Sequence, residues 1–98
     1  MHQNFRSYQL ALELYRECKS ITLSHGLRDQ LIRAASSICL NLSEGSAKPT
    51  RRDRAKFYAI AFGSCREVQT IVQMEEIAGL TELSDRLGGH LYRLCRAT

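Results

Sequence analysis

The chain has 98 residues, of which 14 are Lys or Arg and 10 are Asp or Glu, giving a formal net charge of +4. A chain of this length buries about 60–65% of its unfolded surface, which suffices for one modest core, so we expect a single domain over residues 1–98. No apolar run approaches the roughly 18 residues of a membrane span, and the N-terminus lacks the features of a secretory signal. We therefore expect a cytoplasmic protein with no membrane partner.

Two amphipathic helices are predicted in the first half of the chain. Apolar residues at spacings of three and four indicate a helix from about Asn4 to Ser20. The segment ITLSHG then interrupts this period, and Ser24 can cap a second helix that runs to about Ala47.

The second half of the chain also predicts two helices. The third, from Arg51 to about Ala78, would be roughly 40 Å long at 1.5 Å per residue and is the longest element. Gly79 is expected to end it, and Thr81 to cap a fourth helix that continues to Cys95.

Four such helices with short connections, and no β-type alternation, predict an all-α protein. The expected architecture is an antiparallel up-down four-helix bundle. Gly88 and Gly89 interrupt the fourth helix, where we expect a kink, a close crossing with another helix, or a frayed end.

Positive charge is concentrated where the second helix gives way to the third. Pro49 cannot continue the second helix, and Thr50 followed by Asp53 is typical of a capped helix start. Five cations surround this start, although the positive end of a helix dipole disfavours them. They are Lys48, Arg51, Arg52, Arg54 and Lys56. Since the chain outside the nine residues Lys48–Lys56 is formally neutral, we interpret the five cations as a surface that neutralises nucleic-acid phosphates, with a solvated charge run as the alternative.

A polar stripe is predicted on the second helix, separate from its apolar face. Its members recur at helical spacing and are Arg33, Ser37, Asn41 and Glu44. We interpret Arg33, Asn41 and Glu44 as a structural polar network or a solvated face, in which Glu44 also pairs with Lys48. A catalytic carboxylate would need a partner acid or base, and the sequence identifies none.

The third helix is apolar on more than one face between Phe57 and Cys65. Such a helix is either central in the bundle or covered by another subunit, and the small residues around Gly63 permit a close approach. We therefore expect a homo-oligomer, with packing within the chain as the alternative. The predicted subunit interface comprises Phe57, Tyr58, Phe62 and Cys65.

The cysteines and histidines form no recognisable metal or catalytic motif. Cys18, Cys39, Cys65 and Cys95 lie 20 or more residues apart in predicted helices, which is typical of buried free thiols. Because there is also no nucleophile with a base and no phosphate-binding loop, we expect no metal, no cofactor and no enzymatic activity.

Three groups of residues are the most specific parts of the chain: Gln30 with Arg33–Ala35, then Asn41–Gly45, and then Phe57 with Ala61–Ser64 and Glu67. Together with the sequence around them, from about Phe5 to Ile77, they resemble the four-helix-bundle proteins encoded in intervening sequences of bacterial large-subunit ribosomal RNA genes.

This resemblance implies a bundle that assembles as a ring-like homopentamer, has no known catalytic activity and is suspected of binding nucleic acid. A related family, the accessory variability determinants of diversity-generating retroelements, shares the architecture and partners a reverse transcriptase and its RNA. The resemblance defines no functional residues beyond the basic start of the third helix as a candidate surface.

Three classes of function are compared, and an enzyme is the weakest of them because the sequence shows no nucleophile with a base, no metal spacing and no phosphate loop. We favour a homo-oligomer that binds the nucleic-acid backbone through the basic turn, because the cations are local and helix stability does not explain them. The alternative is an adaptor or scaffold for a protein partner, for example accessory to a reverse transcriptase or an RNA-processing complex. Binding to a protein partner with an affinity that does not change with salt concentration would favour the adaptor.

Overall fold

The computed structural model describes residues 2–97, and side chains from residue 4 to residue 97. Within this range the chain forms four α-helices, which are α1 (His2–Cys18), α2 (His25–Ser46), α3 (Arg51–Met74) and α4 (Ala78–Ala97). No strand occurs in residues 2–97. The predicted all-α fold class is therefore confirmed.

The helices form an up-down bundle. Connections of six, four and three residues join them, which is too short for consecutive helices to run parallel. Each helix packs against two neighbours, in the cyclic order α1, α2, α3, α4, and among the described residues no Cα atoms of a diagonal pair lie within 8 Å of each other. The bundle measures 40 by 21 by 18 Å, which confirms the predicted architecture.

Each helix contributes an apolar stripe to one shared core. Leu14, Ile38, Val68 and Leu87, one from each helix, have no exposed surface. Burying a side chain of this size stabilises the fold by about 1.5–3 kcal/mol relative to leaving it in water. The core therefore depends on the helical spacing that predicted these four elements.

The turn between α3 and α4 lies earlier than the sequence suggested. α3 ends at Met74 rather than near Ala78, and Gly79 lies in the first turn of α4 instead of ending α3. The chain reverses at Glu76, whose φ is 52°, and the Ile77 amide donates to the carbonyl of Val72 at 2.9 Å. This bond closes a Schellman-type helix end, which usually has glycine at the position of Glu76. The prediction placed the end of α3 at the nearest glycine, Gly79, and therefore too late in the chain.

The mid-helix glycines have different surroundings. α4 continues through Gly88, where the side chain of Gln69 on α3 occupies the space beside the missing side chain, with its Nε2 2.8 Å from the position of an added Cβ. Gly63 was expected to permit a close approach by another backbone. Within the chain nothing would lie within 4 Å of a Cβ at Gly63, and the residue is exposed.

The closest approach between α2 and α3 occurs at Gly45. A Cβ at this position would lie 2.8 Å from Cε1 of Tyr58 and 3.0 Å from Cβ of Phe57. Tyr58 is only 3% exposed and cannot swing away into solvent. The absence of a side chain at Gly45 therefore allows the end of α2 to lie directly against the start of α3.

We expect Gly45→Ala to lower the free energy of unfolding by about 1–2 kcal/mol, because the cost of overpacking exceeds the gain in helix propensity. Gly63→Ala is the matched control: it gains the same propensity in open space and should stabilise the protein by up to about 1 kcal/mol. Urea unfolding of both variants measures the difference. Equal effects of the two substitutions would contradict this account of Gly45.

Candidate nucleic-acid interface

The predicted basic turn lies at one end of the bundle, between α2 and α3. Thr50 is the N-cap of α3, as predicted, since the amide of Asp53 donates to Thr50 Oγ1 at 3.1 Å. The amide of Lys48 donates to the carbonyl of Gly45 at 3.1 Å, which closes the end of α2. The turn is therefore held by bonds on both sides of Pro49.

Two of the five predicted cations have partners within the turn itself. Arg54 Nη1 donates to the carbonyls of Lys48 and Pro49, each at 3.2 Å. Burial raises the pKa of Tyr58, and the nearby charge of Arg54 acts in the opposite direction. Lys48 Nζ lies 3.3 Å from Glu44 Oε2 and 5.1 Å from the centre of the Phe57 ring. Arg54 and Lys48 therefore stabilise the turn as well as adding charge.

The other three cations project from the start of α3. Arg51, Arg52 and Lys56 are exposed. Among the side chains of residues 4–97, the structure records no ion pair or hydrogen bond to any of the three. Their charges are therefore open to an external anion, and they are the strongest members of the predicted set.

The bundle topology brings further cations to the same end, and sequence reasoning missed them. In an up-down bundle the start of α1 and the end of α4 lie beside the α2–α3 turn. This arrangement adds Arg6, Arg93 and Arg96, all of them exposed. The topological prediction alone could have identified them, because they are distant in sequence but share one end of the fold.

Charge is unevenly divided along the bundle. The half that contains the turn comprises residues 2–11, 36–61 and 87–97 and holds eight cations and two anions, a net of +6. The opposite half, residues 12–35 and 62–86, holds six cations and eight anions, a net of −2. We call the first half the basic end. It extends well beyond the nine-residue turn that the sequence singled out.

His90 on α4 lies near arginines of α1 and α4. Partial burial lowers its pKa, and the charges of Arg93, Arg6 and Arg86 lower it further. Three arginines from two helices therefore act on one imidazole. A fourth positive charge is disfavoured there, so His90 adds little to the charge of the basic end at neutral pH.

The predicted polar network is smaller than expected and has different members. Asn41 Nδ2 donates to the Ser37 carbonyl at 2.8 Å and to Ser37 Oγ at 3.1 Å, and Ser37 Oγ lies 2.8 Å from Ser64 Oγ on α3. Arg33 is exposed and takes no side-chain part in these bonds. Glu44 is 57% exposed and pairs with Lys48 instead. The network therefore links α2 to α3 through hydroxyl groups.

The predicted interface residues are largely used within the chain. Tyr58 and Cys65 are 3% and 0% exposed, which corrects their assignment to a subunit interface. Phe62 packs its ring 6.2 Å from that of Tyr92 on α4, and Phe57 lies under Lys48. Both apolar stripes of α3 are needed because α3 packs against two neighbouring helices.

Two exposed apolar side chains on the outer side of α2 and α3 were not predicted. Leu40 is 67% exposed and Ile60 is 51% exposed. The contact between Ser37 and Ser64 sets the antiparallel register, which places Leu40 and Ile60 within one residue of the same level. Leu40 could have been found from the sequence, because it is an apolar residue outside the core-facing stripe of α2.

Comparisons with known proteins agree with this architecture. The sequence profile of the 23S rRNA-intervening sequence protein family matches residues 4–90, which is most of the chain. The chain belongs to this family. No curated protein and no solved structure gave a match.

In this member of the 23S rRNA-intervening sequence protein family the cysteines are packing residues. Cys18, Cys39 and Cys65 are buried free thiols, as predicted, and Cys95 is half-buried. Burial raises the pKa of Cys18 and of Cys65 to about 12, so both remain protonated. Among the described residues no three His, Cys, Asp or Glu side chains group to hold a metal, and no helix is long and apolar enough to cross a bilayer.

Glu44→Ala is expected to change the free energy of unfolding by no more than about 0.5 kcal/mol, because an exposed ion pair one turn apart contributes little. Ser64→Ala removes the hydroxyl contact between helices and should cost about 1 kcal/mol. Thermal or urea unfolding compares the two. A larger loss for Glu44→Ala than for Ser64→Ala would contradict the assignment of the network to Ser37, Asn41 and Ser64.

Proposed function

We propose that this protein is a non-enzymatic homo-oligomer that binds the phosphate backbone of nucleic acid at its basic end. The observation that carries the proposal is the set of exposed, unengaged cations at the start of α3, Arg51, Arg52 and Lys56, within a half-bundle of net charge +6. Cations that neutralise phosphates release condensed counterions, which gives affinity without sequence preference. The chain's family membership agrees with a setting in which RNA is present.

The geometry of the basic end supports a backbone ligand. The turn is rigid because Thr50 and Arg54 bond to its backbone, so the three open cations start from a fixed helix end. The positive end of the α3 dipole lies at this helix start and adds to the attraction for phosphate. No base-reading motif accompanies these cations, so binding through them should follow charge rather than sequence.

Assembly is the second part of the proposal. Leu40 and Ile60 expose apolar surface in the middle of the bundle, near the level of the hydroxyl contact between Ser37 and Ser64. Exposed apolar surface flanked by polar groups is typical of a contact between proteins. We propose that another copy of the chain covers this face, and that a ring, a pentamer by family resemblance, repeats the basic end in each protomer.

The backbone-binding proposal is tested by reversing the open charges. The triple variant Arg51→Glu, Arg52→Glu and Lys56→Glu should abolish binding to both RNA and DNA. With about three phosphates neutralised per site, the logarithm of wild-type affinity should fall against the logarithm of salt with a slope of about −2 to −3. Fluorescence anisotropy across a salt series measures both results.

A matched control reverses three exposed cations in the opposite half, Arg16, Arg66 and Arg86. This variant carries the same net charge as the first, so it separates local from total charge. It should keep affinity within a few-fold of wild type, while circular dichroism and light scattering confirm that both variants fold and assemble. Wild-type affinity in the first variant would favour the adaptor function instead.

The assembly proposal is tested with Ile60→Lys, which places a charge in the proposed contact. Light scattering should show a single oligomer for the wild-type protein and a shift toward the monomer for this variant. Met74→Lys is the control, because Met74 is also exposed, at 62%, but lies at the far end of α3. A wild-type monomer at tens of micromolar would overturn the proposal.

A further inference from the structure

A cleft opens between the start of α1 and the end of α2, at the basic end. It has a volume of about 390 Å³ and is lined by Asn4, Phe5, Tyr8, Leu42, Ser43 and Ser46. Its walls include two aromatic rings, and Leu42, which is 1% exposed, forms its floor. Among residues 4–97 no charged side chain lines it, although Lys48 follows only two residues after Ser46.

Phe5 is the unusual member of this lining. Its ring is 64% exposed, although burial of a phenylalanine ring is strongly favourable. Tyr92, the other strongly exposed aromatic side chain in the described part of the chain, differs because Arg96 lies over its ring at 5.3 Å. No such cation is recorded over the ring of Phe5. An aromatic surface therefore stands open beside a strongly positive surface.

The polar groups of the cleft lie next to its rings. Ser46 Oγ donates to the carbonyl of Ser43 at 2.9 Å, which leaves its lone pairs able to accept a bond. The Asn4 amide carries both donors and an acceptor. Flat apolar walls with a few hydrogen-bonding groups match one kind of ligand fragment, a nucleobase with its faces stacked and its edge bonded.

We infer that this cleft receives one unpaired base, and that the ligand of the basic end is therefore single-stranded nucleic acid. The inference rests on the proposed function, because the neighbouring cations must hold the phosphates of the same strand. A duplex keeps its bases stacked inside and has none to insert. Charge complementarity selects the occupant. An uncharged base fits the aromatic cleft, and the anionic backbone to which the base is joined fits the adjacent basic end, whose net charge is +6.

The test compares three labelled probes of about 12 nucleotides: an oligouridylate, an RNA duplex and an abasic single strand with the same backbone. Wild-type protein should bind oligouridylate more tightly than the abasic strand. Phe5→Ala should weaken oligouridylate binding at least fivefold, toward the abasic value, because stacking one base on an aromatic ring contributes this much or more. Binding of the duplex should change less than twofold.

Met74→Ala is the matched control, because Met74 has nearly the same exposure as Phe5, 62% against 64%, but lies at the opposite end. This substitution should leave the affinity for each of the three probes at its wild-type value. A direct readout comes from Phe5→Trp, since the chain contains no tryptophan. Its emission should be quenched by oligouridylate and not by the duplex or the abasic strand, and Met74→Trp should respond to none of the three.

The possible failures are distinguishable. If Phe5→Ala binds all three probes as the wild type does, the base cleft is overturned while backbone binding stands. If Phe5→Ala instead lowers the mass measured by light scattering, the cleft is a contact between copies and the inference is wrong. If wild-type protein binds no probe, the proposed function fails, and the base cleft fails with it.

Discussion

The structure depends on the close approach of α2 to α3 at Gly45. Because no side chain stands there, the last turn of α2 lies against Phe57 and Tyr58, and the chain can reverse direction within four residues. This contact fixes where α3 begins, and so fixes the direction of the cations in its first turn. A bulkier residue would separate the two helices at the point where the positive surface is built.

The five cations of the turn have two different roles. Arg54 donates hydrogen bonds to the backbone of the turn, and Lys48 forms an ion pair with Glu44. Both residues therefore hold the turn in one conformation. Arg51, Arg52 and Lys56 make no such bonds in the described structure and point their charge outward. A hydrogen-bonded turn that carries exposed cations suits a ligand whose charges are regularly spaced but whose sequence varies.

The sequence predicted most of the fold and part of the site. Apolar periodicity located the four helices, and Pro49 with Thr50 located the α2–α3 turn, because these signals are local. The turn at Glu76 was missed, since a left-handed conformation at a residue other than glycine leaves no sequence signature. Tyr58 was assigned to the wrong surface because periodicity shows that α3 has two apolar stripes but not which neighbours cover them. Arg6 and Arg93 follow from the predicted up-down topology and were missed because they are distant in sequence from the turn, whereas the exposure of Leu40 at the level of Ile60 required the packed bundle.

The helix dipole favours cations at the C-terminus of a helix and disfavours them at the N-terminus, so helix stability can explain some of these cations and not others. Arg93 and Arg96 lie near the C-terminus of α4, where a positive charge is favourable by about 0.3–1 kcal/mol. Arg51 and Arg52 lie at the N-terminus of α3, where the same charge is unfavourable by a similar amount and where their mutual repulsion adds to the cost. The fold would be more stable with Asp or Glu at these two positions. A ligand that brings negative charge to the start of α3 removes both penalties at once, and this difference makes Arg51 and Arg52, rather than the arginines of α4, the centre of the proposed site.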